Sequence, residues 1–271
     1  MIDPAFIQRI FTNLEFLSIK KDDTILDCGC GNGVYIDRVS EECNCRIVGV
    51  DVRVSELLVA KEMTRVSGRN IDFVLCDARH LPFRNKSFNK VLCTEVLEHV
   101  SDDIGTLCEI RRVITEAGIL VLSVPNANYP FLWDPVNKIL KGIHCRPIKS
   151  GFWSGIWGGH FRLYEEASLI AKLRQAGFSI LKKRHLGRIC LPFNYQLLYM
   201  LTGVYFRFRK TKKICQVRKC SPSEYFSKKK NVILFSATLM ELISKLNRRF
   251  VLQNPSLNIA VCARAELKGN Y

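Results

Sequence analysis

Ile25-Leu26-Asp27-Cys28-Gly29-Cys30-Gly31-Asn32-Gly33 decides the reading of this chain. Residues 24–27 form a short apolar run ending in an acid, and glycines follow at 29, 31 and 33. The segment therefore reads as strand, tight turn and helix start. Glycines there let a ligand approach the backbone closely, with the first N–H groups of the helix expected to face it. A glycine-rich turn alone is a weak signal. Here a second apolar run, residues 46–51 (RIVGVD), ends in Asp51, 18 residues beyond Gly33. That is near the spacing of about 20 at which a carboxylate grips a ribose diol. Together these features point to a nucleoside cofactor, although Asp27 and Asp51, taken singly, also read as caps of the following helices.

Working outward, residues 71–76, 87–94 and 118–124 are further apolar strand segments, the last closed by Pro125. A helix is expected over about 102–114, with Ile104, Leu107, Ile110 and Ile114 on one face. Strands without clean alternation, separated by helical patterns, indicate a parallel sheet covered on both sides. The fold class is α/β. Residues 126–159, rich in Gly, Pro, Trp and Asn and without a clear period, read as a long lid or loop. Regularity returns with a helix near 165–176, a strand at 178–183 and a last strand at 256–265.

The 271 residues carry a net charge of +16, unevenly spread. Residues 1–137 hold 15 Lys and Arg against 20 Asp and Glu, whereas residues 138–271 hold 26 against 5. A mildly acidic small-molecule half is thus followed by a half suited to a polyanion. The acidic, charge-interrupted N-terminus is no secretory signal, so a cytoplasmic setting is expected. The twelve cysteines then read as reduced thiols. Their spacings (Cys28/Cys30, Cys43/Cys45, Cys215/Cys220) do not form the paired sets of a zinc site, and no metal is expected from them.

The stretch Asp27-Cys28-Gly29-Cys30-Gly31-Asn32-Gly33 resembles the first motif, acid-x-Gly-x-Gly-x-Gly, of the class I S-adenosylmethionine-dependent methyltransferases, especially the group containing ubiquinone-biosynthesis and related small-molecule enzymes. Three later segments agree with that resemblance: Asp77-Ala78, the Leu81-Pro82-Phe83 and Ser87-Phe88 stretch (with Asn89 in place of the usual acid), and Val91 to Val100. The resemblance covers roughly residues 21–185 and the final strand. It implies a Rossmann-like, doubly wound, seven-stranded, mostly parallel sheet and S-adenosylmethionine as cofactor. It further implies that Asp27, Gly29, Gly31 and Gly33 hold the methionine part, Asp51 the ribose hydroxyls, and Asp77 with Ala78 the adenine. Glu95, ending the fourth strand, would lie beside the transferable methyl.

Methyl transfer from a sulfonium is an in-line displacement dominated by positioning, and a base is needed only if the acceptor must lose a proton. His160, in Gly158-Gly159-His160-Phe161, and His99 are the candidate bases, with His144 behind them. His99 also reads as a residue packing at a helix start, and Glu95 and Glu98 as solvated first-turn acids. Trp133, Trp153, Trp157 and Phe152 either wall an acceptor pocket or anchor the lid.

Residues 189–206 (ICLPFNYQLLYMLTGVYF) contain no charge and run into Arg207-Phe208-Arg209-Lys210. A second unit, Lys228-Lys229-Lys230 followed by uncharged 232–240, repeats the logic. An interfacial segment on anionic lipid fits this pattern, as does a buried helix capping the substrate pocket. RNA is the third option. The expected organisation is an N-terminal helix (1–20), a cofactor-binding domain (21–185) with its lid (126–160), a basic, partly hydrophobic insert (186–254), and a final strand and tail (255–271). The expected function is methyl transfer to a small or lipid-linked acceptor, peripheral to a membrane. An RNA methyltransferase and a non-catalytic binding module remain as alternatives.

Overall fold

The computed structural model describes residues 5–43, 45–65, 71–188 and 254–266. The apolar run 189–206 and both basic clusters of the insert lie outside these residues.

Helix α1 (Phe6–Leu17) precedes the alternation β1 (Thr24–Cys28), α2 (Val34–Glu42), β2 (Arg46–Asp51), α3 (Val54–Thr64), β3 (Ile71–Leu75), β4 (Phe88–Thr94), α4 (Asp103–Val113) and β5 (Ile114–Pro125). Then come α5 (Pro135–Gly142), α6 (Glu166–Gln175), β6 (Phe178–Leu186) and β7 (Asn258–Ala265). The seven strands form one sheet in the order β3-β2-β1-β4-β5-β7-β6. β1 to β5 are parallel, and β7 runs antiparallel between β5 and β6.

Successive strand residues face opposite sides, and both sides are apolar because helices cover both. Ile25, Ile47, Leu92 and Val121 pack with α1, α2 and α3 through Leu14, Leu17, Ile36, Val39 and Leu57. Their neighbours Leu26, Val48, Val91 and Leu120 pack with α4 and α6 through Leu107, Ile110, Leu169 and Leu173. Gly33 begins α2 at φ +82°, and a Cβ there would stand 2.8 Å from the Ala60 Cβ, so a side chain would push α2 away from α3. Asn89, which replaces the usual acid, accepts from the Thr24 N–H at 2.9 Å and donates to Asp23 at 2.8 Å, tying β4 to the start of β1.

Two expectations need correction. Residues 126–160 are not irregular throughout: they hold α5 and two short 3₁₀ turns, Phe131–Trp133 and Gly155–Trp157. This segment is built inside out, with Asp134 and Asn137 buried and Ile139 and Ile143 exposed. Asp134 accepts from the N–H groups of Asn137 (3.2 Å) and Ile156 (3.1 Å), and the Asn137 amide donates to the Trp153 and Ser154 carbonyls, each at 3.2 Å. Polar groups hold this segment together, so apolar periodicity could not reveal it. The second correction is β5, which starts at Ile114: that residue pairs with Phe88 across an irregularity that carries Ala117 at φ +58°. Among the described residues, no helix is long and apolar enough to cross a membrane.

Candidate active site

Strand order reverses beside β1, where β2 lies on one side and β4 on the other. In such sheets the crevice at the carboxyl ends of the strands receives ligands. A cavity of about 550 Å³ opens there, lined by Gly29 and Gly31 after β1, Asp51 at the end of β2, Asp77 and Ala78 after β3, and Glu95 after β4. The volume suits a nucleoside-sized ligand. His99 lines the same cavity.

Gly29 has φ +79°, and a Cβ on it would fall 2.3 Å from a Val96 methyl, so the turn tolerates only glycine without repacking. A Cβ on Gly31 would meet nothing within 4 Å; that glycine opens onto free space. The donors at the front of the loop are used within the protein. Gly29 and Cys30 both donate to the Val50 carbonyl at 2.8 Å, Gly31 donates to Asp51 at 3.0 Å, and Gly33 donates to the Cys30 carbonyl at 2.9 Å. The loop thus fixes its own shape with these donors, and Gly31 leaves open backbone beside the cavity.

The acids differ sharply. Asp51 is 7% exposed and accepts from the N–H groups of Gly31 and Arg53 (2.9 Å), which aims it across the loop. Asp27 does not line the cavity: it lies behind the loop, 1% exposed, with neither carboxylate oxygen hydrogen-bonded. Burial, reinforced by the Asp51 charge, pushes its pKa up to about 7. Asp77 carries Arg79 across its carboxylate (2.6 and 3.1 Å), which holds it below the usual range, so an adenine amine would share it with a guanidinium. Arg79 was not flagged in the sequence, although its position two residues after Asp77 is the natural signal. Gly33 faces α3 and not the cavity.

Glu95 is a non-glycine residue at φ +55°, a conformation held by its surroundings. Its carboxylate accepts from Ser123 Oγ (3.1 Å) and from the Asn258 amide (3.0 and 2.9 Å), with Arg9 of α1 at 3.7 Å. Arg9 in turn donates to Asn258 Oδ1 at 2.9 Å. Three distant chain segments converge on one carboxylate, and nothing local in the sequence joins them. Glu95 also lines a second cavity of about 180 Å³, together with Arg9, Trp133, Ile156, His160 and Asn258.

The two candidate bases come together: the His99 and His160 rings meet edge to face with centroids 4.7 Å apart. His99 Nδ1 lies 3.1 Å from the Gly159 carbonyl. Burial, then the neighbouring His99, pushes His160 down to about 4, so it is a neutral and weak base. Glu98 is not a solvated acid. It is fully buried, with neither oxygen hydrogen-bonded, and burial followed by the Glu95 charge raises its pKa well above the ordinary carboxyl value. Trp133 walls the second cavity, whereas Trp153 is 46% exposed and stacks edge-on with Phe152.

Residues 26–122 match the family model for a methyltransferase domain. The chain is 26% identical over 221 residues to a ubiquinone biosynthesis O-methyltransferase of Hydrogenovibrio crunogenus, covering 75% of this chain and 84% of the relative. It is 36% identical over 103 residues to a tRNA U34 carboxymethyltransferase of Campylobacter fetus, covering 38% and 36%. The coverage is partial elsewhere as well: the chain spans half the length of an uncharacterised Methanocaldococcus jannaschii relative that is 31% identical. Among solved structures, the [4+2]-cyclase SpnF superposes with a TM-score of 0.61 at 17% identity, covering 96% of this chain and 81% of that one. A Haemonchus contortus phosphoethanolamine N-methyltransferase 2 in complex with S-adenosyl-L-methionine superposes at 0.57 and 16% identity, covering 97% and 53%. Residues 26–122 thus match a methyltransferase domain, the sheet shares the Rossmann-like fold of the S-adenosyl-L-methionine-bound neighbour, and S-adenosylmethionine is the cofactor these matches support. The open glycine turn and the cavity at the strand ends fit that group.

Proposed function

We propose that this chain moves a methyl group from S-adenosylmethionine to a small or lipid-linked acceptor seated in the second cavity, at a membrane surface. The observation that carries this reading is Glu95, whose side chain walls both cavities and so marks where donor and acceptor meet. The bound cofactor supplies a methyl on a positively charged sulfur. The chain's own residues do the rest. Asp51 holds the ribose hydroxyls, the Gly29–Gly31 turn admits the methionine portion, and Asp77 with Ala78 faces the adenine. Arg9, Asn258 and Ser123 fix the Glu95 carboxylate at the junction, so the acceptor is oriented by a group that does not have to reorganise. Trp133 and Ile156 exclude water on the acceptor side.

Lipid is favoured by the lid as well as by the insert. The lid exposes Phe131, Leu132, Ile139, Ile143 and Trp153, and residues 131–153 carry Lys138, Lys141, Arg146 and Lys149 against the single buried acid Asp134. Apolar side chains interleaved with cations suit an anionic interface. The location is then cytoplasmic and peripheral. Incubating the full chain with methyl-labelled S-adenosylmethionine and extract of its own cells tests the proposal. Label in the lipid fraction, with salt-sensitive binding to anionic vesicles, supports it. Label in RNA recasts the basic half as a phosphate-binding surface, and no label anywhere leaves a binding module on a methyltransferase fold.

A further inference from the structure

A buried carboxylate and a buried imidazole nitrogen without partners are expensive features unless something else completes them. Glu98 and His160 are such a pair: both Glu98 oxygens and His160 Nδ1 are sealed from solvent and lack hydrogen bonds. His99 stands between them, its Nε2 3.9 Å from a Glu98 oxygen. With Nδ1 donating to the Gly159 carbonyl, His99 keeps its Nε2 lone pair free and its ring fixed, as a metal-binding histidine requires. One ligand atom from each of Glu98, His99 and His160 lies within 4.8 Å of the others. Ligands sharing one cation stand about 3–3.5 Å apart, so a modest movement of the His160 segment closes the set.

From this geometry we infer that Glu98, His99 and His160 bind a divalent transition-metal cation. Two neutral imidazoles and one carboxylate suit a borderline cation of the zinc, iron or cobalt type and leave positions open for an outside oxygen. Its location gives it work to do. His99 borders the larger cavity and His160 the smaller, so the cation sits between donor and acceptor. There it would coordinate an acceptor hydroxyl and lower its pKa. It would also clasp the lid, which carries His160, to the turn after β4.

Metal binding can be read with neither cofactor nor acceptor present, so this inference stands or falls separately from the methyl-transfer proposal. The full chain, stripped with a chelator and dialysed, is titrated with Co²⁺ and followed by visible absorption. One equivalent is expected, with the d–d bands of nitrogen and oxygen ligation and no thiolate charge-transfer band from the cysteines. Glu98→Gln and His160→Gln should each weaken binding by at least ten-fold, while His80→Gln, at an exposed histidine, leaves it unchanged. If Glu98→Gln does not fold, His160→Gln and His99→Gln carry the test. A charge-transfer band, wild-type affinity in these variants, or no binding by the wild-type chain overturns the inference.

Discussion

Gly29→Ala isolates the tightest point of the cofactor loop, and its cost can be worked from two contributions. The backbone at φ +79° is left-handed, which costs a residue with a Cβ about 1–2 kcal/mol. The new methyl also overlaps Val96, whose Cγ2 would lie at 2.3 Å, and overpacking of this kind costs about 1–3 kcal/mol. Reduced freedom of the unfolded chain returns roughly 0.4–1 kcal/mol. The net loss is roughly 2–4 kcal/mol, a drop in melting temperature of roughly 5–15 °C for a domain of this size. Because only the second contribution involves Val96, the double variant Gly29→Ala/Val96→Ala should be more stable than the sum of the single effects by about 1–3 kcal/mol. Urea unfolding of the four proteins measures this coupling. Strict additivity would refute the contact, and an unperturbed Gly29→Ala would refute both contributions.

Asn258→Ala removes the closest donors from Glu95 and should lower kcat/KM by about 10–100-fold, the equivalent of about 1.4–2.7 kcal/mol, with steady-state kinetics as the check. Burial of Asp103 opposes its charge, but Lys172, Tyr164 and Arg162 outweigh this and hold its pKa below 3.8. Its stabilisation is therefore complete above pH 3.8 and lost as pH falls further. Asp103→Asn should cost about 1.5–3 kcal/mol at neutral pH, a gap that closes on acidification in thermal melts. Asp27 has the opposite sign. Its pKa is raised to about 7, so the native state holds a proton that the unfolded chain has released, and stability declines as pH rises from 3.8 to about 7. Asp27→Asn should therefore gain in melting temperature over the wild type at pH 8 more than at pH 5; an equal difference at both pH values would argue against a buried, unpartnered carboxylate.

The strands and most helices were legible because both sheet faces are apolar and glycine or proline closes several segments, as at Gly29, Pro125 and Gly177. Asp51, Asp77 and Glu95 could be found from their place at strand ends. What stayed hidden depends on contacts distant in sequence. Arg9 and Asn258 are separated by 249 positions, yet the fold bonds them to each other and brings both to Glu95. Glu98 looks like any acid in a first turn until the fold seals it. Helix α5 escaped because Asp134 and Asn137 lie inside and isoleucines outside, which reverses the usual pattern. The loop donors escaped because a sequence can show where N–H groups are but not that Val50 and Asp51 have already taken them.

The position of β7 bears on how the molecule is assembled. This strand lies between β5 and β6, yet it follows both in the chain, with the insert in between. As the chain emerges from the ribosome, β5 and β6 must wait with open edges until the strand that joins them arrives, and such edges invite pairing with other chains. Asn258 arrives on that same strand, so the junction carboxylate is not secured until the sheet closes. A nascent chain halted inside the insert would be both adhesive and without its Glu95 anchor, and completion of the sheet and of the reaction centre become a single event.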